Sequence, residues 1–349
     1  MKKFDYLIVG QGIAGLSFAF QLLKANKTFL VVDSKAFKAS SSVAAGIINP
    51  ITGRRYVKSW MFDQLLEEAN TFYTDLEALL QEKFYHELPI VRSLFNHQEE
   101  QDWWLRRQDE AYVPYMMPPL DQDAFPIGFK SVFAFAKVTG GGRVDLKKLT
   151  NAFKNYLMNK SHLLFERFDY EELKIYQDNF KWREMTFEKV VCCEGAHVAH
   201  NPYFKDLPFN PSKGEVLIIK ADALAGNSIF KNRIFVVPND PPYYWVGSQY
   251  STSFQDDEPE TSSRLFLEER LEEVMDSPYE IIEHKAAIRP TVKDRKPFLG
   301  SHYQYKNLYL FNGLGTKGAS LAPYFSKQLY AYISNGEPLM QEVDISRFY

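Results

Sequence analysis

The sequence predicts an α/β fold with a parallel strand, turn and helix unit at its amino terminus and a second, α+β region built on antiparallel strands. Three observations carry this expectation. The apolar run Phe4 to Val9 leads directly into Gly10-Gln11-Gly12-Ile13-Ala14-Gly15 and then into a helical pattern. Short apolar runs separated by turn residues fill 211–250. A last apolar run, Asn307 to Phe311, enters a glycine-rich loop before a closing helix. The 349 residues allow about two domains. With 45% hydrophobic, 15% aromatic and 24% charged residues, the composition is that of a folded chain.

The first element reads as a buried strand, Phe4 to Val9. After the glycine turn, Ile13, Leu16, Ala19, Phe20 and Leu23 recur at helical spacing until the stop at Asn26. Thr28 to Val32 is then a second strand, ending in Asp33, 23 positions after Gly10. Each residue has a mechanical reason in a Rossmann-like dinucleotide site. Gly10 makes the tight turn, Gly12 lets backbone approach a pyrophosphate, and Gly15 lets helix and strand pack closely. Ile13 and Ala14 open the helix whose amino-terminal N–H groups and dipole favour phosphate. Asp33, with Ser34 beside it, can accept hydrogen bonds from ribose hydroxyls and would repel the 2′-phosphate of NADP. This unit alone leaves FAD and NAD both open.

Next, Ser40 to Pro50 is a stretch of small residues that permits close approach to a flat ligand. Gln64 to Leu80 places Leu65, Leu66, Ala69, Phe72, Tyr73, Leu76, Leu79 and Leu80 on one stripe, read as core packing. Gly140-Gly141-Gly142 precedes a helical pattern from Asp145 to Leu157. The run Val190-Val191-Cys192-Cys193 reads as a buried strand ending at Gly195. These two adjacent cysteines form no disulfide framework and lack zinc spacing, and buried they act as small apolar residues. An antiparallel meander follows: Glu215 to Lys220, Arg233 to Val237, the turn Asn239-Asp240-Pro241-Pro242, and Tyr243 to Gly247. Ser262 to Met275 is a polar helix with Leu265, Phe266, Leu271 and Val274 expected inward. The final strand, Asn307 to Phe311, leads into Asn312-Gly313-Leu314-Gly315-Thr316-Lys317-Gly318 and the last helix. The expected division is a discontinuous nucleotide domain of 1–60, 140–210 and 285–349, with a substrate domain of 61–139 and 211–284.

Charge excludes some partners. Forty-one basic against 44 acidic residues give a net charge of −3, without the uniform positive field that nucleic-acid affinity needs. After Met1-Lys2-Lys3 the apolar run is too short for a signal or membrane segment, so a cytoplasmic protein with no membrane partner is expected.

Taken in order, the motifs resemble the FAD-dependent D-amino-acid oxidase superfamily, in particular its glycine oxidase and sarcosine oxidase branches. The likeness runs through Ile8 to Gly15, Ser40 to Ile47, Gly142-Arg143-Val144-Asp145, Val190 to Ala196, Pro211-Ser212-Lys213-Gly214-Glu215, Ala287 to Asp294 and Gly313 through Pro323. It implies a glutathione-reductase-type FAD domain, with a smaller domain whose antiparallel sheet covers the flavin. By this resemblance Ser40, Ser41, Ala45, Gly46 and Ile47 line the flavin, Gly195 belongs to the cofactor set, and the backbone of Tyr170 meets the adenine side. Leu314, Gly315, Thr316, Lys317, Gly318, Ala319 and Ser320 match the loop around the isoalloxazine ring, where Gly313, Gly315 and Gly318 can form a nest of N–H groups for negative charge on the reduced flavin.

Arg289 matches the arginine that binds the substrate carboxylate in related oxidases, a task suited to a bidentate guanidinium. An ion pair with Asp294 is the competing structural role, and Arg54 and Arg55 are weaker candidates for an anionic contact. Glycine oxidase carries a tyrosine in the strand matched by Ile234 to Pro238, and an arginine in the final loop where this chain has Thr316 beside Lys317. Those two join Arg289 as candidate catalytic residues. Sarcosine oxidases attach FAD through a cysteine just before the segment matched by Ile288-Arg289, and none stands here, which implies noncovalent FAD. The implied activity is oxidation of the C–N bond of a small amine or amino acid, with oxygen or another acceptor reoxidising the flavin. A variant acting on a carboxymethylaminomethyl group of tRNA wobble uridine, and a dehydrogenase with a non-oxygen acceptor, share the superfamily.

Overall fold

The computed structural model describes residues 2–34, 38–121 and 124–349. Its helices are α1 (Ile13–Lys24), α2 (Phe62–Leu80), α3 (His97–Arg107), α4 (Leu146–Asn159), α5 (Thr261–Val274) and α6 (Gly318–Asn335).

The first sheet is built around five parallel strands in the order Leu163–Phe165, Phe29–Asp33, Lys2–Val9, Met185–Cys192 and Leu308–Asn312. Phe298–Ser301 closes it antiparallel. The amino-terminal half of Met185–Cys192 carries a small antiparallel extension, Phe180–Trp182 and Leu173–Ile175. Alternation explains why these strands are apolar throughout: Tyr6 and Ile8 face the helical core, while Leu7 and Val9 face the core under the extension. Strand order reverses between Lys2–Val9 and Met185–Cys192, and an open parallel sheet leaves a crevice at the carboxyl ends beside such a point.

The second sheet has eight strands, in the order Glu280–Arg289, Ser212–Lys220, Tyr243–Ser251, Phe235–Pro238, Ile229–Lys231, Ile90–Leu94, Ala134–Val138 and Met116–Pro119. All its pairings are antiparallel except that of Ile229–Lys231 with Ile90–Leu94. Its outer face packs Leu217, Ile219, Phe230 and Val246 against Leu267, Leu271 and Val274 of α5. The inner face presents Val216, Val237 and Trp245 toward the first domain. The indole N–H of Trp245 donates to the Val43 carbonyl at 2.8 Å, tying this sheet to the small-residue loop.

Three expectations are corrected. The stripe on α2 is buried through Leu65, Ala69, Phe72, Tyr73 and Leu76, but it packs with α1 and α6 in the core of the first sheet, so the division at 61 assigns it to the wrong layer. In its last turn Leu79 lies off the buried stripe and is 37% exposed. The division at 285 falls inside the continuous strand Glu280–Arg289. On α5 the buried positions are Ser263, Leu267, Leu271 and Val274, whereas Leu265 is 60% exposed. A period of 3.6 residues fixes Leu265 on the opposite side once Leu267 and Leu271 point inward.

Candidate functional site

Between the two sheets lies a cavity of about 590 Å³, within the size range of cofactor and ligand sites. Its floor is made by the carboxyl ends of the first sheet: Val9, Gly10, Val32, Asp33, Cys193, Glu194 and Asn312. The turn after Val9 has φ of +98° at Gly10, and a Cβ on Gly15 would lie 1.9 Å from the Gly10 carbonyl oxygen. Only glycine permits both. Gly12 caps α1 without a side-chain acceptor and faces open space, with Ser41 Oγ 3.6 Å from where its Cβ would be. The Ile13 N–H donates to Ser41 Oγ at 3.1 Å. Asp33 accepts from the Gln11 N–H at 3.1 Å, and burial raises its carboxyl against that bond.

Gly12, Ile13, Ala14, Ser34, Ser40, Ser41, Ala45, Gly46, Ile47 and Gly195 line the same space. Gly15 lies behind the turn, where its role is packing. Tyr170 is not itself among the cavity-lining residues, which here are Glu166, Arg167 and Phe168; its hydroxyl is enclosed, accepts from Asn201 Nδ2 at 2.7 Å and stands 3.5 Å from Cys192 Sγ. Glu194 joins this network through Asn201 Nδ2 at 2.7 Å, and burial pushes its carboxyl up to about 7. Burial also raises both cysteine thiols, consistent with inert packing residues.

Leu314, Gly315, Thr316, Lys317, Gly318, Ala319 and Ser320 form the wall opposite the small-residue loop. The nest expected from the three glycines is only partly available. The Gly313 N–H bonds to Asn312 Oδ1 at 2.8 Å and the Gly315 N–H to the Pro290 carbonyl at 3.3 Å, and Gly313 does not reach the cavity. What remains are the Gly318 and Ala319 N–H groups at the start of α6, which have no intrahelical acceptor; the Ser320 N–H already bonds back to the Lys317 carbonyl at 3.1 Å. Lys317 stands at that helix start, donates to Ser59 Oγ at 3.3 Å, and is lowered in pKa by burial and by the nearby Arg295 and Lys296.

Arg289 ends its strand and enters the cavity from the second sheet. Its guanidinium lies flat over Gly214, where a Cβ would come within 2.5 Å of Nη2, and Nη2 donates to Ser248 Oγ at 2.8 Å. Asp294 is not its partner; that carboxylate pairs with Arg347 at 2.9 Å. Among the described residues no carboxylate lies within ion-pair distance of Arg289, and burial lowers its pKa accordingly. Arg54 and Arg55 line a separate shallow cavity with Arg106, Asp102 and Asp109 and do not join this one. Several lining residues escaped the sequence reading: Trp60, Lys231, Phe235, Trp245, Ser248 and Tyr250. Two-residue alternation along the meander, registered on Val216 and Trp245, is the signal that singles out Phe235. The strand Phe235–Pro238 thus does face the cavity through Phe235.

A family model described as FAD-dependent oxidoreductase matches residues 5–332. The chain is similar to a glycine oxidase of Pseudomonas aeruginosa, 24% identical over 367 aligned positions that cover 96% of each protein. Its fold is similar to that of a glycine oxidase from Geobacillus kaustophilus, with a TM-score of 0.81, 19% identity, and coverage of 100% of this chain and 98% of the other. It is also similar to an iminodiacetate oxidase from a Chelativorans species, with a TM-score of 0.80, 18% identity, and 98% of each chain covered. Among the described residues no helix is long and apolar enough to cross a membrane.

Proposed function

Because the chain belongs to the family of FAD-dependent oxidoreductases, we propose that it oxidises the C–N bond of a small amine bearing a carboxylate, an amino acid or N-substituted glycine. The observation that carries this reading is Arg289: a desolvated guanidinium in the cavity, with a hydroxyl partner but no anion. Leaving such a cation unpaired is costly, and a substrate carboxylate supplies the missing charge through two parallel bonds.

The cavity residues fit FAD. Asp33 would hold the ribose, the start of α1 the pyrophosphate, and residues 314–320 with 45–47 the ring. Bound there, FAD would supply the hydride acceptor for oxidation of the carbon bearing the amine, whose nitrogen would give up a proton to leave an imine that water hydrolyses. The chain's own work is orientation. Arg289 fixes the carboxylate, the inner sheet face around Phe235, Trp245 and Tyr250 limits how the rest can lie, and Lys317 with the start of α6 favours negative charge on the ring.

Neither cysteine stands at the ring end: Cys193 packs under Gly10, and Cys192 lies beside Tyr170. This placement gives FAD no cysteinyl link, and acid precipitation should leave the yellow colour in the supernatant; colour in the pellet contradicts noncovalent binding. The central test is a panel of amines and amino acids scored by anaerobic bleaching of the flavin, which separates reduction from the identity of the acceptor. Bleaching by carboxylate-bearing amines is expected. Bleaching only by simple amines without a carboxylate would overturn the proposal.

A further inference from the structure

More cations face the substrate half of the cavity than the proposed reaction uses. Arg289, Lys317, Lys231 and Arg233 line it, while the acids that line the cavity, Asp33, Glu166 and Glu194, lie at the nucleotide end. Arg233 is exposed and pairs with Glu273 at 3.3 Å. Lys317 belongs to the ring and Arg289 to the substrate carboxylate. Lys231 has no such assignment.

Lys231 ends the strand Ile229–Lys231, in register with Phe235 on one side and with Arg92 on the other. Its ammonium donates to the Arg233 carbonyl at 3.1 Å and stands 4.3 Å from the centre of the Phe235 ring. Among the described residues it has no carboxylate within ion-pair distance. Arg92 behind it has none either; its guanidinium donates to the Gly53 carbonyl at 2.9 Å and lies 4.7 Å from the centre of the Tyr56 ring. Glu99 offsets part of the charge on Arg92, but the two half-buried cations still face one another across the strand pair, and an anionic ligand would relieve that repulsion. Burial, with Arg92 adjacent, brings the Lys231 pKa down to about 8.

We propose that Lys231, backed by Arg92, forms a second anion subsite, so that the substrate carries a further carboxylate or phosphate besides the carboxylate held by Arg289. This inference rests on the amine-oxidation reading above. The positions set the span. Arg289 reaches over Gly214 to Ser248, and Lys231 over Phe235, which is in register with Gly247. One to two strand spacings separate these points, about 5–10 Å. Toward the longer end of that span one carboxylate cannot reach both cations, whereas a short molecule with two anionic ends can.

The test uses the holoenzyme and the change in flavin absorbance on titration with acetate, propionate, malonate, succinate, glutarate and phosphonoacetate. The best diacid should bind at least tenfold more tightly than the monoacids. Lys231→Met should remove that advantage while leaving monoacid affinity in place, and Lys231→Arg should retain it. The ratio of phosphonoacetate to malonate affinity tells a phosphate subsite from a carboxylate one. Equal mono- and diacid affinity in the unmodified holoenzyme overturns the second subsite, as does a diacid advantage that survives Lys231→Met. If Lys231→Met only moves the pH at which the flavin is reduced, the lysine is a proton acceptor and the proposal fails. If no carboxylate of either kind perturbs the flavin, the amine-oxidation reading fails with it.

Discussion

Arg289 can be probed from two directions, because the structure holds it in place with a neighbour that has no side chain. Arg289→Ala removes the cation that lies over Gly214 and leaves the Ser248 hydroxyl without its 2.8 Å donor. A hydrogen bond to a charged group contributes about 1.5–3 kcal/mol, so the loss in kcat/KM should be about 10- to 150-fold, appearing mainly in KM if the carboxylate is held equally in ground and transition states. Gly214→Ala should imitate this without touching the arginine. Its new methyl would lie 2.5 Å from Nη2, 2.6 Å from Cζ and 2.7 Å from Nε, well inside contact distance, so the guanidinium must leave the strand. Arg289→Lys should recover only part of the loss, since a point charge cannot make the two parallel bonds. The assay is stopped-flow flavin reduction under anaerobic conditions across substrate concentration, with flavin content measured on each variant. All three variants should keep their flavin. A holo Arg289→Ala enzyme that reduces carboxylate substrates at the unmodified rate would show that the reasoning about this cation is wrong.

Three other perturbations follow from the same cavity. Gly12→Val places a branched side chain in the open space before α1, and the purified protein should be colourless; a fully yellow preparation removes the pyrophosphate from that position. Glu194 has its carboxyl raised to about 7 by burial, so the folded protein prefers it protonated. The stability this provides relative to the ionised form is present at low pH and is lost as pH climbs from the ordinary glutamate range to about 7. Glu194→Gln should therefore gain in Tm relative to the parent across that window, with a total of about 3 kcal/mol expected and a plateau above it; a difference that does not change with pH contradicts the assignment. Lys317→Met removes a buried charge at the start of α6. If its interaction with the reduced ring amounts to about 1–2 kcal/mol, the midpoint potential falls by roughly 20–40 mV, measurable by dye equilibration; an unchanged potential would place the lysine away from the ring.

The nucleotide half was legible because its signals are local. Gly10, Gly12 and Gly15 do their work within six residues of one another, Asp33 closes the next strand, and the loop 313–320 precedes its own helix, so chain order alone brings these groups together. Periodicity likewise gave the existence of α2 and α5. It could not say against what α2 packs, because an apolar stripe specifies that a face is buried and not which partner covers it. On α5 it placed Leu271 and Val274 inward, as they are, but took Leu265 where the tertiary contacts select Leu267. The side chain of Tyr170 packs against Asn201 and Cys192 while Phe168, two residues earlier, lines the cavity, an arrangement the local pattern does not specify. The substrate half depended on pairings between distant segments. Lys231 meets Arg92 through a parallel pairing of strands 139 residues apart, and Arg289 meets Ser248 across 41. A single sequence does not encode which strand lies beside which, nor whether a charged side chain finds its counter-charge. By itself the sequence determined the dinucleotide cradle and its helix termini, since those are properties of consecutive residues. The tertiary structure decided which cations are left desolvated and unpaired, because burial and missing partners exist only once the two sheets have closed over the same space.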